Sequence, residues 1–221
     1  MIKIVNSLSS FQEFKPYYSF VLFTFGCNFR CKYCYNYDFI CNKSNIINPP
    51  IEEKLDLCFD SCMNIYLDKE KYKEYNRLLE SPNRDLPNIK KLFYNDYFFD
   101  FINNNISGMH NAFVLTGGEP LIYDIEDLIQ LFGYVKEKHN LKTKLFTNGY
   151  YYDKIDVLCS LSLIDEVSLD FKSISNVVEI TCVEEAEPND YINNISRSIE
   201  SIIKNNVKLH INTVKTDKTN E

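Results

Sequence analysis

The chain has 221 residues, with 24 Lys and Arg against 31 Asp and Glu, a net charge of −7 and a pI near 5.1. That balance argues against a basic nucleic-acid surface, and an apolar fraction of 45% excludes a disordered chain. Its apolar runs fall well short of the roughly 20 residues a membrane span needs. The N-terminus lacks the basic-then-apolar plan of a signal peptide, so a cytoplasmic protein is expected, whose eight cysteines stay thiols or metal ligands. A single domain over 1–221 is expected, with a helical insertion at 45–87.

Residues 2–5 read as a weak strand, followed by a polar loop closed by Pro16. The apolar run 20–25 reads as a short buried strand. Cys27, Cys31 and Cys34 therefore fall on the loop leaving its C-terminal end, at spacing Cys-x3-Cys-x2-Cys. Three thiolates this close can wrap one iron–sulfur cube. Three is one short of the four that close a cubane, which implies an open iron and a place for chemistry. A structural zinc would want a fourth ligand, but His110, His139 and His210 all lie far along the chain. Cysteines so crowded in a chain without a secretory signal make a poor disulfide framework. Cys41 reads as a bystander.

Beyond Pro49-Pro50, Leu55, Cys58, Phe59, Cys62, Ile65 and Tyr66 form one helical stripe. Cys58 and Cys62 are spaced as metal ligands could be, yet with no third ligand nearby they read as small core residues. A charged helix continuation over 69–80 and two proline turns lead to a second stripe, Ile89, Leu92, Phe93, Tyr97 and Phe101. From Ala112 the order is regular: strand 112–116, a helix capped by Asp124 with stripe Ile125, Leu128, Ile129, Phe132 and Val135, and strand 144–147. Helix 153–161, strand 164–172, helix 190–204 with Ile192, Ile195, Ile199, Ile202 and Ile203, and strand 207–214 follow. Strands alternating with helices predict parallel βαβ units, hence an α/β fold.

In such folds ligands bind at the carboxyl ends of the strands. At one such end lies Gly117-Gly118-Glu119-Pro120, where two glycines would let backbone approach a ligand and the carboxylate could receive an ammonium group. By itself the pair could equally be a turn. Ser168, Asp170 and Lys172 share one face of their strand and Val167, Leu169 and Phe171 the other. The polar face would then look inward, its two charges meeting a polar ligand or each other. On the last strand the same alternation turns His210 and Asn212 inward. Thr147-Asn148-Gly149 ends a strand and could be an ordinary Asn-Gly turn.

The three-cysteine spacing, with Tyr33 just before Cys34, resembles the signature of the radical S-adenosylmethionine (radical SAM) enzymes. The resemblance covers about residues 16–41 and 88–216. It implies a partial (β/α)6-type barrel, open on one side because the chain ends after its fifth core strand, with the helical insertion after the cluster loop. It implies that Cys27, Cys31 and Cys34 hold a [4Fe–4S] cluster, with Glu119, Asp170 and Lys172 holding SAM. Gly117, Gly118 and Pro120 complete the family's Gly-Gly-Glu-Pro motif. Tyr33 and Asn36 match positions near the adenine, Thr147 and Asn148 a cofactor-lining segment, and His210 and Asn212 a SAM-binding strand end. No catalytic acid or base is implied, since the cofactor itself abstracts hydrogen.

Motif order, size and the Asp-x-Lys pair are most similar to the activating protein of the anaerobic ribonucleoside-triphosphate reductase. That implies a glycyl-radical enzyme as partner and an external one-electron donor such as flavodoxin or ferredoxin, with no nucleic acid and no membrane. Tyr35 departs from the histidine common in these activases, and Cys34-Tyr35-Asn36 is similar to peptide-modifying members. A radical SAM enzyme acting on a peptide or small molecule, of the peptide maturase or deazapurine synthase kind, is the alternative. A non-catalytic iron–sulfur binding module is the second.

Overall fold

The structure is a computed structural model that describes residues 2–37, 40, 98–173, 180–181 and 188–214. The chain divides into two compact units, residues 1–47 with 108–221, and residues 48–107. In the second unit the described part is helical at 98–105. Cys41, Cys58, Cys62 and the whole of 45–87 lie outside the described residues.

The first unit is built on a six-stranded sheet in the order β1-β2-β3-β4-β5-β6. Its strands are β1 (Ile4–Ser10), β2 (Ser19–Thr24), β3 (Ala112–Gly117), β4 (Lys142–Thr147), β5 (Glu166–Asp170) and β6 (Lys208–Asn212). β2 to β6 are parallel and β1 is antiparallel to β2, so the sheet is open, with β1 and β6 at its edges. Three helices connect the parallel strands: α1 (Ile125–His139), α2 (Tyr152–Ser160) and α3 (Pro188–Lys204). This is the α/β fold that the βαβ rhythm predicts, in the open form, consistent with a partial barrel, that the family resemblance implies.

Three local readings change. β1 runs on through Asn6, Ser7, Ser9 and Ser10, where the sequence suggested a loop. Its pairing with β2, from Ile4 opposite Thr24 to Ser10 opposite Ser19, satisfies backbone groups that β2 would otherwise leave bare, and an edge strand tolerates polar side chains. Asp124 occupies the N-cap of α1 but makes no side-chain capping bond, while Leu131 joins Leu128, Phe132 and Val135 in the buried stripe. In α3 the buried face is Tyr191, Ile195, Ser198, Ser201 and Ile202, with Ile203 exposed. The serines are buried because each has a fixed acceptor: Ser198 Oγ donates to the Gly149 carbonyl at 2.8 Å and Ser201 Oγ to Asp156 at 2.6 Å.

Register assigns the inner face. Val21 and Phe23, Val114 and Thr116, Lys144 and Phe146, Glu166 and Ser168, and Lys208 and His210 lie side by side across successive strands, with Ala112 one step back on the same face. At the amino end this face is filled. Phe14, on the β1–β2 connection, packs with Val21, Ala112 and Val114, flanked by Tyr17, Phe23 and Phe146. Beside it Glu166 receives Lys144 at 2.8 Å and Lys208 at 2.7 Å. The carboxyl end is left for ligands.

Candidate functional site

The loop leaving β2 is anchored on several sides. Phe29 is 2% exposed and packs edge-on against Tyr150 at 5.9 Å and beside Tyr191 at 6.1 Å. The Arg30 and Lys32 amides donate to the carbonyls of Thr181 (2.8 Å) and Ile180 (3.2 Å). Asn36 Nδ2 donates to the Gly117 carbonyl at 2.9 Å, tying the far end of the loop to the end of β3. Between these anchors Cys27, Cys31 and Cys34 are each partly buried, and none is in a disulfide. Burial, with the Glu119 charge nearby, pushes the Cys27 thiol up to about 12, against one hydrogen bond from the Phe29 amide at 3.3 Å.

The Gly-Gly-Glu-Pro turn explains its own composition. Its two glycines bring backbone close to the exit of β2, and both also line the cavity. The Gly118 amide donates to Thr24 O at 2.9 Å and the Glu119 amide to Gly26 O at 2.8 Å. A Cβ at Gly118 would overlap the Gly26 carbonyl, and one at Gly117 the Thr24 backbone. Pro120 is buried and opens a 3-10 turn, Pro120–Ile122, that Glu119 caps through the Leu121 amide at 3.0 Å. Lys154 fixes the far side of this turn, donating to the carbonyls of Leu121 (2.8 Å) and Tyr123 (2.6 Å).

Glu119 is 1% exposed. Its Oε1 also accepts from Thr147 Oγ1 at 2.8 Å, and its Oε2 from the Asn148 amide at 2.6 Å. These three bonds use three of the about four acceptor positions of a carboxylate. No Lys or Arg among the described residues pairs with it, and burial raises its pKa to about 7 despite the three donors. A buried carboxylate with one lone pair left and no counter-charge is suited to a cation.

At the end of β5, Asp170 and Lys172 face inward as the alternation predicts. They also pair with each other, Lys172 Nζ standing 3.6 Å from Asp170 Oδ2. Lys172 is drawn in over the Tyr33 ring, 5.7 Å from its centroid. Burial would lower its pKa, but Asp170 and then the cysteines outweigh that and hold it above the usual lysine value. Its backbone amide donates to the Tyr191 hydroxyl at 2.9 Å.

One cavity gathers Cys27, Cys31, Cys34, Tyr33, Asn36, Gly117, Gly118, Glu119, Thr147, Asn148, Asp170 and Lys172. Pro120, His210 and Asn212 are not part of its wall. His210 is turned inward by register but sits exposed on the open edge, and Asn212 spends its amide on Ser168 Oγ at 2.8 Å. Phe29, Tyr35, Ile40, Thr116, Phe146 and Val214 also line the cavity and were not singled out from the sequence. For Phe146 a signal existed, since it alternates with the outward-facing Leu145, and Phe29 and Tyr35 belong to the cysteine loop itself; the others depend on how distant segments meet.

The residues present fit an iron–sulfur cluster. Three thiols outside any disulfide line one cavity, and among the described residues no three His, Cys, Asp or Glu converge as the ligands of a single ion would. A cubane, whose irons are separate points of attachment, does not require such convergence. The chain belongs to the 4Fe-4S single cluster domain family, whose sequence model matches residues 18–181. Within it, the cysteine loop and the Gly-Gly-Glu-Pro turn, the two motifs that resemble those of radical SAM enzymes, meet at one cavity.

Among curated proteins it is similar to a candidate glycyl-radical enzyme activating enzyme of Methanocaldococcus jannaschii. The two are 26% identical over 197 residues, 88% of this chain and 60% of that protein, so the chain spans about three-fifths of the relative's length. Among solved structures it is similar to native anSMEcpe with bound AdoMet and the Cp18Cys peptide, at 17% identity and TM-score 0.41 over 84% of this chain and 39% of that one. It is also similar to QueE from Escherichia coli, at 14% identity and TM-score 0.41 over 96% of this chain and 94% of that one. Among the described residues no helix is long and apolar enough to cross a membrane.

Proposed function

We propose that this chain cleaves SAM reductively and directs the outcome at a glycine of a partner glycyl-radical enzyme. When bound, the cluster and SAM together supply one electron and a 5′-deoxyadenosyl radical able to abstract hydrogen. Cys27, Cys31 and Cys34 hold the cluster. Glu119 receives the ammonium group of SAM on its remaining lone pair, and its three existing donors keep the carboxylate aimed. Asp170 and Lys172 separate from their 3.6 Å pairing to meet the hydroxyl and carboxylate groups of the ligand. Tyr33 and Asn36 stand beside the nucleoside, and Phe29, Ile40 and Phe146 keep the wall dry. A soluble flavodoxin or ferredoxin in the cytoplasm would deliver the electron.

The observation that carries this reading is Glu119, a buried carboxylate with no Lys or Arg partner among the described residues, on the same cavity as three thiols outside any disulfide. The activase form draws its support from the relative in M. jannaschii and from the open edge beside β6, which leaves room for a bulky protein substrate. The test is anaerobic reconstitution with iron and sulfide, then SAM and dithionite. 5′-Deoxyadenosine is expected, followed by a glycyl EPR doublet when a candidate reductase is added. No 5′-deoxyadenosine leaves only an iron–sulfur binding module. Turnover without a doublet on any candidate reductase, but with a modified peptide or small molecule, moves the assignment to that branch.

A further inference from the structure

Asn148 does more than an Asn-Gly turn requires. The turn itself needs only Oδ1, which accepts from the Tyr150 amide at 3.0 Å. The other end of the side chain points away from the turn, to a loop 120 positions earlier: Nδ2 donates to Asn28 Oδ1 at 2.7 Å. Asn28 directly follows the first cluster cysteine, and the same Oδ1 lies 3.8 Å from Cys27 Sγ. Asn148 is 5% exposed, and its own amide is the 2.6 Å donor to Glu119 Oε2. Gly149 beside it sits at φ +74, where a Cβ would meet the Ile195 side chain at 2.6 Å, so this strand end is closely packed. The far end of the loop is tied separately, through Asn36 to Gly117.

We infer that Asn148 is a positioning residue whose bond to Asn28 seats Cys27 on the network of the buried Glu119. One buried amide thus links the first thiolate of the cluster to the carboxylate that faces the ligand. The Asn148–Asn28 bond is made by side chains of this chain alone. Only the cluster readout below depends on the function proposed above.

The experiment is thiol alkylation of the metal-free protein, mapped by mass spectrometry for Cys27, Cys34 and Cys159. Asn148→Ala and Asn28→Ala should each speed alkylation of Cys27 roughly fivefold, the opening expected when one net hydrogen bond is lost. Cys34 and the buried Cys159 should stay within about twofold of the parent protein, since neither depends on the latch. The double variant should be no faster than either single one, because both remove the same bond. Asn28→Asp keeps the acceptor and should restore slow alkylation. After reconstitution the Ala variants should show a broadened or shifted cluster EPR signal beside an unchanged parent signal. Equal acceleration at Cys159 would mean general unfolding and would overturn the inference, as would additive effects in the double variant. Unchanged Cys27 rates in both Ala variants would overturn it as well. A parent protein that binds no iron, yet shows the Cys27 pattern, would sink the function proposed above while leaving the latch standing.

Discussion

Two buried glutamates on the same sheet are treated in opposite ways. Glu166, at the amino end, is 3% exposed and lies between Lys144 and Lys208 on the neighbouring strands. Burial pushes its pKa up, but the two lysines outweigh burial and bring it below the usual glutamate value. Glu119, at the carboxyl end, is equally buried and has hydrogen bonds but no cation, so burial wins and its pKa rises to about 7. One charge is matched within the fold; the other is left to be matched by whatever enters the cavity. The contrast separates a structural end of the sheet from a functional one without reference to any motif.

The most severe disruption should come from the matched end. Glu166→Gln strips the counter-charge from Lys144, whose side chain is only 8% exposed, and a buried pair broken on one side costs about 3–5 kcal/mol. Urea denaturation should report that loss, while the variant that remains folded should still take up a cluster. A comparable loss from Glu119→Gln at pH 8 would erase the distinction drawn between the two ends.

The pH dependence of stability tests the unmatched charge. Below about 4.5 Glu119 is protonated folded and unfolded, and contributes no penalty. Between about 4.5 and about 7 the folded protein binds a proton that the unfolded chain releases, so stability falls as pH rises, by about 3 kcal/mol in all. Glu166, with its depressed pKa, works in reverse: its contribution is present above about 4.5 and is lost as pH falls through the folded value. The free protein should therefore be most stable on the acid side of neutrality. Glu119→Gln should flatten the slope between pH 5 and 7, and a slope that survives the substitution would place its origin elsewhere. The same substitution should weaken SAM binding to the cluster-loaded protein roughly tenfold at pH 8, the value of one charge-assisted bond, as calorimetry would measure.

The sequence carried the site further than it carried the matched end. Cys27, Cys31 and Cys34, the Gly-Gly-Glu-Pro turn and the alternation of Ser168, Asp170 and Lys172 are local patterns, readable wherever a strand and its exit can be recognised. The helices and parallel strands after Ala112 were legible for the same reason. The Lys144–Glu166–Lys208 ladder was not, because cross-strand neighbours are fixed by register, and no spacing along the chain reveals that. Phe14 looked like part of a polar loop until the β1–β2 connection folded under the sheet. Asn28 was invisible beside three cysteines, and so was the second neighbour of the Gly-Gly-Glu-Pro glycines. Their close contact is with β2, which only the fold supplies.

The gentlest test lies inside the matched end itself. Glu166 has two lysines, and they are not equivalent. Lys144 is buried, donates also to the Glu13 carbonyl at 2.8 Å, and lies 4.5 Å from the Phe146 ring centroid. Lys208 reaches Glu166 at a similar distance, 2.7 Å, but its side chain is 68% exposed. Distance alone would rank the two pairs together, whereas solvent screening leaves the Lys208 arm far weaker than the buried Lys144 arm. Lys208→Gln should thus shift the urea midpoint only slightly, and the shift should shrink further in 0.5 M salt. A large, salt-insensitive loss would mean that the edge strand β6 closes over this pair in solution more tightly than its exposure indicates, and that both arms belong to the core.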